Sequence, residues 1–160
     1  MKITLLSLLL IPTILLHAET TTPSIQEFSK EYWAAVKARN TEKALSYFDL
    51  RILEQLTPEE QKFVKEGWVK SLLQAADNQG DSQRTTTSEI PTTAELLPTW
   101  RWPAKPQYQI QVEMFKNVPT GKESHYSLIE VAFLQDGFFK IIRPIPPADQ
   151  LEKQIKLQAH

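Results

Sequence analysis

The sequence predicts an α+β fold in which N-terminal helices pack on an antiparallel sheet and a short helix closes the chain. Three observations predict it. Helix-capping signals precede apolar residues at helical spacing throughout the first half of the chain. Apolar and polar residues alternate over residues 108–114, and Asp136-Gly137 marks a tight hairpin further on. Helices first and strands afterwards is the order of an α+β domain.

A signal peptide is predicted over residues 1–18. Lys2 precedes roughly fourteen mostly apolar residues, whereas a membrane span needs about twenty. Such a run is typical of a signal peptide, and Ala18 supplies a small residue for cleavage nearby. We therefore expect an exported protein, periplasmic or extracellular, with a linker over 19–23, one domain over 24–147 and a helical tail over 148–160. The alternative is an uncleaved N-terminal anchor.

The first two helices are predicted from caps and apolar stripes. Ser24 and Glu27 have the spacing of a capping box. The apolar stripe of the first helix consists of Ile25, Phe28, Tyr32 and Val36. Thr41 can cap a second helix, whose apolar positions continue to Leu56 with a bend near Asp49.

The third helix has the strongest signals. Thr57 is placed to cap it, Pro58 occupies its first position, and Glu60 completes a capping box. Residues 78–80 end it with an Asn-Gln-Gly run. Its buried stripe is predicted to consist of Phe63, Val64, Gly67, Trp68, Ser71, Leu72 and Ala75.

Residues 80–106 are rich in Thr, Ser and Pro. A structureless loop of this length is unusual in a compact domain. We expect one irregular strand around 84–90 and another near 96–102, with at least one at the sheet edge, where proline is tolerated.

Three further strands and a helix complete the predicted domain. The first contains the alternating residues 108–114, and a turn at Pro119–Gly121 leads to a second strand over about 124–135. The third begins after Asp136-Gly137 and runs over 138–145, where prolines stop it. In the tail, Leu151 and Ile155 lie one helical turn apart and predict a short helix.

Composition excludes several classes of function. The chain has no Cys, which excludes thiol catalysis, iron–sulfur clusters and thiolate zinc sites. An exported domain without disulfides also favours a bacterial envelope protein over a eukaryotic secreted one. The formal net charge of −1 argues against non-specific nucleic-acid binding. After the leader only His125 and His160 remain as histidines, and nucleotide-binding and hydrolase motifs are absent, so we expect no metal and no cofactor.

A two-residue hairpin turn fixes which residues of its strands face each other. It places Glu130 opposite Arg143 on a face that we expect to look toward the helices, with Lys140 on the other side. The apolar residues predicted on the inner face include Leu134, Phe139 and Ile141. A charged pair in that setting costs desolvation energy unless it is well bonded, which makes both residues candidates for a site. The alternative is an ordinary cross-strand ion pair near the sheet rim.

Trp100 and Trp102 flank Arg101 in a predicted extended segment. Alternating aromatic rings can form a stacking platform for a sugar or another small ligand. The alternative is that both indoles pack on the helix layer, as Trp33 and Trp68 are expected to do. The candidate ligand-binding residues are Glu130, Arg143, Trp100, Trp102 and Tyr108; we assign no catalytic residue and no metal ligand.

Two segments resemble the nuclear-transport-factor-2-like superfamily. Phe28–Leu56 resembles its opening, in which a helix, a polar break and a second helix ending in aromatic-Asp come one after another; the ending here is Phe48-Asp49. Tyr126–Ile145 resembles its closing long hairpin. The resemblance implies an exported bacterial member with a cystatin-like, cone-shaped fold, in which a curved sheet wraps around the first helix and forms a conical pocket.

That superfamily includes isomerase-like enzymes, dehydratases and non-catalytic binding or assembly domains, so the fold does not settle the function. Its enzymes place an Asp, a Tyr or a His–Asp pair in the cone. Here His125 falls on the sheet face opposite Glu130, and no catalytic motif of the family matches. This departure favours a protein that is not an enzyme.

The sequence therefore favours an exported non-catalytic domain that binds a small ligand or a protein partner in the cell envelope, with no nucleic acid and no membrane span after leader cleavage. One alternative is a proton-transfer enzyme of the isomerase or dehydratase kind, with Glu130 as base and Tyr108 or Tyr126 as donor. A base active near neutral pH needs a raised pKa, whereas Arg143 would lower the pKa of Glu130. The other is a structural module that forms a homodimer through its C-terminal helix and polar sheet face.

Overall fold

The computed structural model describes residues 24–96, 99–117 and 123–158. The predicted signal peptide, the linker over 19–23 and the turn at Pro119–Gly121 lie outside the described residues. The described elements are α1 (Ile25–Lys37), α2 (Thr41–Leu45), α3 (Pro58–Asp77), β1 (Ser82–Glu89), β2 (Tyr108–Asn117), β3 (Glu123–Gln135), β4 (Phe138–Ile142) and α4 (Ala148–Gln158). Helices pack on a four-stranded antiparallel sheet, so the predicted α+β class with a short C-terminal helix is confirmed.

Helices α1 and α3 begin as predicted. Ser24 Oγ accepts the Glu27 N–H at 3.2 Å, and the Glu27 carboxylate accepts the Ser24 N–H at 2.9 Å. Thr57 and Glu60 form the same capping box in front of α3. Because these caps satisfy N–H groups that have no partner inside the helix, they fix where each helix starts.

The second helix differs from the prediction at both ends. Its N-cap is Asn40, not Thr41, because the Asn40 Oδ1 accepts the Lys43 N–H at 2.9 Å. It ends at Leu45, and a separate 3₁₀ turn spans Arg51–Gln55.

A strand contact interrupts the predicted long second helix. Phe48 pairs in parallel with Ile141 of β4. The Asp49 N–H donates to the Ile141 carbonyl at 2.8 Å, and the Ile141 N–H donates to the Tyr47 carbonyl at 2.8 Å. The segment is extended because it covers the outer edge of β4, a tertiary demand that outweighs the helical spacing of its apolar residues.

The sheet has the strand order β1-β2-β3-β4 with every neighbouring pair antiparallel. Gln135 pairs with Phe138 across Asp136 (φ 50°) and Gly137 (φ 81°), which confirms the predicted two-residue turn and register. Ala132 and Ile141 are fully buried, and the face that contains them looks toward the helices as predicted. Leu134 lies at its rim and is 37% exposed.

The region between α3 and β2 supplies one strand instead of two. β1 lies at the sheet edge, as expected. The strand expected near 96–102 is wrong for the described residues there, because only Arg101 pairs, through two 3.0 Å backbone bonds to Ile145. The predicted third strand also ends early, at Ile142, since Pro144 cannot donate a ladder hydrogen bond.

The core lies between the helix layer and the inner face of the sheet. The expectation that Trp33 and Trp68 belong to it is confirmed, and Leu151 anchors α4 by full burial. Gly67 is an exception to the predicted α3 stripe because it is exposed. Among the described helices, none combines the length and the apolarity that a membrane crossing requires.

Candidate functional site

Glu130 and Arg143 form the predicted pair on the inner side of the sheet. Glu130 lies on β3 and is only 3% exposed, while Arg143 directly follows β4. The Arg143 Nε donates to Glu130 Oε2 at 3.0 Å, and its Nη2 donates to Glu130 Oε1. The bidentate geometry is the strongest form of a carboxylate–guanidinium contact. The predicted pairing is confirmed. The alternative of an ordinary ion pair near the sheet rim does not fit, because Glu130 is almost fully buried.

Two helix residues complete the hydrogen bonding of this pair. The Tyr32 hydroxyl of α1 donates to Glu130 Oε1 at 2.9 Å, and Arg143 Nη1 donates to the Ser71 Oγ of α3 at 2.6 Å. The Arg143 guanidinium also lies 5.0 Å from the centre of the Phe48 ring, within cation–π range. This buried network (Tyr32, Ser71, Glu130 and Arg143) therefore joins two helices to the centre of the sheet.

Burial and charge act together on the pKa values in the buried network. Burial, together with the smaller effect of the negative charge of Glu130, raises the pKa of Tyr32 well above its usual value of about 10. Burial by itself would lower the pKa of Arg143, but the charge and hydrogen bonds of Glu130 outweigh it and raise that pKa above its ordinary value. At neutral pH the network therefore contains a neutral tyrosine and a cationic arginine.

A cleft of about 450 Å³ opens next to this network. It lies between α3, the two tryptophans at positions 100 and 102, the Leu128–Val131 stretch of β3 and the Ile142–Pro144 stretch at and after the end of β4. Glu130 and Arg143 line the cleft together with three tryptophans, which are Trp68, Trp100 and Trp102. The structure thus brings four of the five candidate residues to one place; we call this space the tryptophan cleft.

Tyr108 is the candidate residue that lies elsewhere. It packs edge-on against Phe139 with ring centres 5.3 Å apart, and it lines a separate surface cleft with Ile90 and Lys105. It is not in the lining of the tryptophan cleft.

One polar atom of the cleft residues lacks a partner. The Trp102 Nε1–H is buried and has no acceptor among the described residues. By contrast, the Trp33 Nε1–H donates to Gln83 Oε1 at 2.7 Å. A buried donor without an acceptor costs roughly 1–3 kcal/mol, so the Trp102 indole is a destabilised feature of the free protein.

Sequence reasoning missed Tyr32, Ser71 and Trp68 as members of this region. All three lie on predicted buried stripes, and their periodicity marked them as core. A hydroxyl on an apolar helix stripe was the available signal, because a buried hydroxyl needs a hydrogen-bond partner. Only the packing of α1 and α3 on the sheet identifies Glu130 and Arg143 as those partners.

His125 lies on the opposite sheet face, as predicted. It stacks on Phe115 with ring centres 5.0 Å apart, and its Nε2 lies 3.5 Å from Glu113, which Arg84 also contacts. Within residues 24–96, 99–117 and 123–158 there is no group of three His, Cys, Asp or Glu side chains that could hold a metal ion.

Comparisons of the chain with family models, with curated proteins and with solved structures give no match.

Proposed function

We propose that this protein is an exported, non-catalytic domain of the cell envelope that binds a small uncharged ligand in the tryptophan cleft. The observation that carries the proposal is the lining of that cleft, where indole rings meet carboxylate and guanidinium groups that are already bonded to each other. Apolar walls with a few polar groups are the usual composition of a ligand pocket.

The charge balance of the cleft indicates the class of ligand. Glu130 and Arg143 neutralise one another at short range, which leaves neither charge free to select an ionic ligand. The indoles of Trp100 and Trp102 offer flat apolar surface to a ring. These features favour an uncharged ligand with an apolar ring face.

The bonding of Glu130 supports binding over proton transfer. Both carboxylate oxygens accept hydrogen bonds from Arg143, and one also accepts the Tyr32 hydroxyl. A general base needs a lone pair within reach of its substrate. Helices that precede a four-stranded antiparallel sheet also support membership of the nuclear-transport-factor-2-like superfamily, which we retain as part of the proposal.

The test is a titration with N-phenyl-1-naphthylamine, an uncharged aromatic fluorophore, monitored by its emission. We expect saturable binding to the chain from Glu19 onward, which contains every described element. Trp100→Ala should weaken this binding about tenfold, because it removes one of the indole rings that line the cleft.

The matched control is Phe138→Ala, which removes another accessible aromatic ring (64% exposed) at the hairpin tip, away from the tryptophan cleft. It should leave binding unchanged. Absence of saturable binding, or an equal loss in both variants, would contradict the proposed site. Circular dichroism spectra of the variants establish that the fold is retained.

A further inference from the structure

Strand β3 is much longer than the strand that covers it. β2 pairs with β3 from Glu123 to Ala132, but β4 pairs with it only from Val131 to Gln135. Among the described residues, β3 therefore has a paired neighbour on one side only over residues 123–130. Strand edges of this kind are templates for another strand.

The backbone groups of this edge point outward at alternate residues. In a two-residue hairpin, the two residues that flank the turn exchange both of their backbone hydrogen bonds. The backbone N–H and C=O groups of Gln135, and of every second residue before it, therefore point to the β4 side of the strand. Two bonds on the β2 side agree: the Leu134 N–H donates to Gln107 Oε1, and the Ala132 carbonyl accepts the Gln107 N–H, each at 2.9 Å. His125, Ser127 and Ile129 consequently direct their N–H and C=O groups to the uncovered side.

This edge has exposed side chains and lacks most of the residues that protect an edge strand. Ser127 is exposed and Ile129 is 56% exposed. Residues 125–130 contain no Lys, Arg or Pro, which natural edge strands use to block pairing. The acidic residue there, Glu130, is turned inward to Arg143.

We propose that a second copy of this chain pairs antiparallel with the open edge of β3, with the two-fold axis at Ser127. Three pairs of residues then exchange backbone hydrogen bonds across the interface. Ser127 pairs with Ser127 of the other copy, and His125 of each copy pairs with Ile129 of the other. On the inner side Tyr126 faces Leu128 of the other copy. The edge is self-complementary, as a two-fold interface requires, since no like charges oppose each other along residues 125–129.

The other free edge of the sheet is a weaker candidate. β1 consists of Ser, Gln, Arg, Thr and Glu residues, so pairing there would bury little apolar surface. The β3 edge offers Ile129 and Leu128 in addition to its backbone groups. Leu128 and Ile129 also line the tryptophan cleft, so a paired copy would compete with a ligand there. Because sedimentation and crosslinking are measured without a ligand, the two proposals can still fail separately.

The first test is sedimentation velocity of the chain from Glu19 onward over a range of concentrations. We expect a monomer–dimer equilibrium. Ser127→Pro removes the N–H at the centre of the interface in both copies and should weaken dimerisation about tenfold or more, while the monomer keeps its fold because proline is tolerated at an open edge.

Thr87→Pro is the matched control on the opposite edge. The Ile90 N–H donates to the Gln107 carbonyl, so the even-numbered residues of β1 direct their backbone groups to β2. The backbone N–H of Thr87 therefore points away from the sheet. This variant should dimerise like the parent chain. A chain that stays monomeric at all concentrations, a dimer insensitive to Ser127→Pro, or a dimer lost in Thr87→Pro would overturn the proposal.

A crosslinking experiment tests the register and does not depend on the proline variant folding. Because the chain has no Cys, a single thiol can be introduced. Ser127→Cys should form an intermolecular disulfide on mild oxidation, since facing residues of a hydrogen-bonded pair have Cα atoms about 5.5 Å apart. Ile129→Cys should not, because its copy would lie about 13 Å further along the strand. Equal crosslinking of both variants, or none with Ser127→Cys, contradicts the register.

Discussion

At the scale of single residues, the molecule depends on one carboxylate that accepts hydrogen bonds from two other parts of the fold. Glu130 sits on the middle of β3 and meets Arg143 from the end of β4 and Tyr32 from α1. Burying two charges costs free energy that only close pairing offsets. Removal of either member alone should therefore be costly, because it would leave the other buried without its partner.

Glu130→Gln should destabilise the protein by about 3–5 kcal/mol, because it leaves the Arg143 guanidinium buried without its counter-charge. The measurement is the free energy of unfolding from urea denaturation. Glu113→Gln is the matched control: Glu113 pairs with the exposed Arg84 on the outer face, and its loss should cost about 1 kcal/mol or less.

The double variant Glu130→Leu with Arg143→Met removes both charges together. It should be more stable than Glu130→Gln, since no unpaired charge remains in the interior. A double variant that is less stable than the single one would contradict the unpaired guanidinium as the cause of the loss.

Tyr32 links stability to alkaline pH. Its folded-state pKa is raised, mainly by burial and then by Glu130, so the native state holds the hydroxyl proton more tightly than the unfolded chain. This contribution is present in full below about pH 10 and is lost as pH rises through and above that value. Above pH 10 the free energy of unfolding should fall less steeply in Tyr32→Phe than in the parent chain. The reference variant is Tyr126→Phe, and the measurement is urea denaturation over a range of pH. The same pH dependence in both variants would contradict the assignment to Tyr32.

At the scale of elements, glycines show where the backbone is constrained. Gly137 adopts a positive φ of 81° in the β3–β4 turn. A Cβ on Gly80, between α3 and β1, would lie 2.1 Å from the Phe115 carbonyl oxygen. Gly67, by contrast, is exposed in the middle of α3, and a Cβ there would meet no atom within 4 Å.

Two glycine substitutions should therefore have opposite effects. Gly67→Ala should stabilise the protein by about 0.5–1 kcal/mol, since alanine is the better helix former. Gly137→Ala should destabilise it by about 1 kcal/mol or more, because alanine disfavours the positive φ that the turn requires. Thermal unfolding monitored by circular dichroism measures both, and the same sign for the two would refute this interpretation of the turn.

At the scale of the whole molecule, stability comes from packing without covalent crosslinks. The core joins α1, α3 and α4 to the inner face of the sheet, and the chain has no Cys. Every described element begins at or after Ile25, so the predicted leader contributes none of them.

The proposed export predicts a defined N-terminus. Mass spectrometry of the protein recovered from a bacterial periplasm should give a chain that starts at Glu19, because Ala18 supplies the small residue that signal peptidase requires. Ala18→Asp should retain the leader and leave the protein with the membrane fraction. Recovery of full-length wild-type chain would instead favour an uncleaved anchor.

The sequence by itself determined the features that depend on local signals. The capping boxes at Ser24 and Thr57 mark where α1 and α3 start, and Asp136-Gly137 sets the hairpin register and with it the Glu130–Arg143 pair. These predictions succeeded because each depends on residues within a few positions of one another, where backbone geometry leaves few choices.

Tertiary structure alone decided the rest, because those features depend on contacts between distant residues. Phe48 is extended, against its helical spacing, because it covers the edge of β4. Tyr32 and Ser71 join the buried pair only when α1 and α3 pack on the sheet. The tryptophan cleft and the uncovered part of β3 arise where β4 ends at Ile142 and the chain turns to pair with Arg101. No local periodicity encodes such meetings, since the free energy that selects them comes from burial in the assembled core.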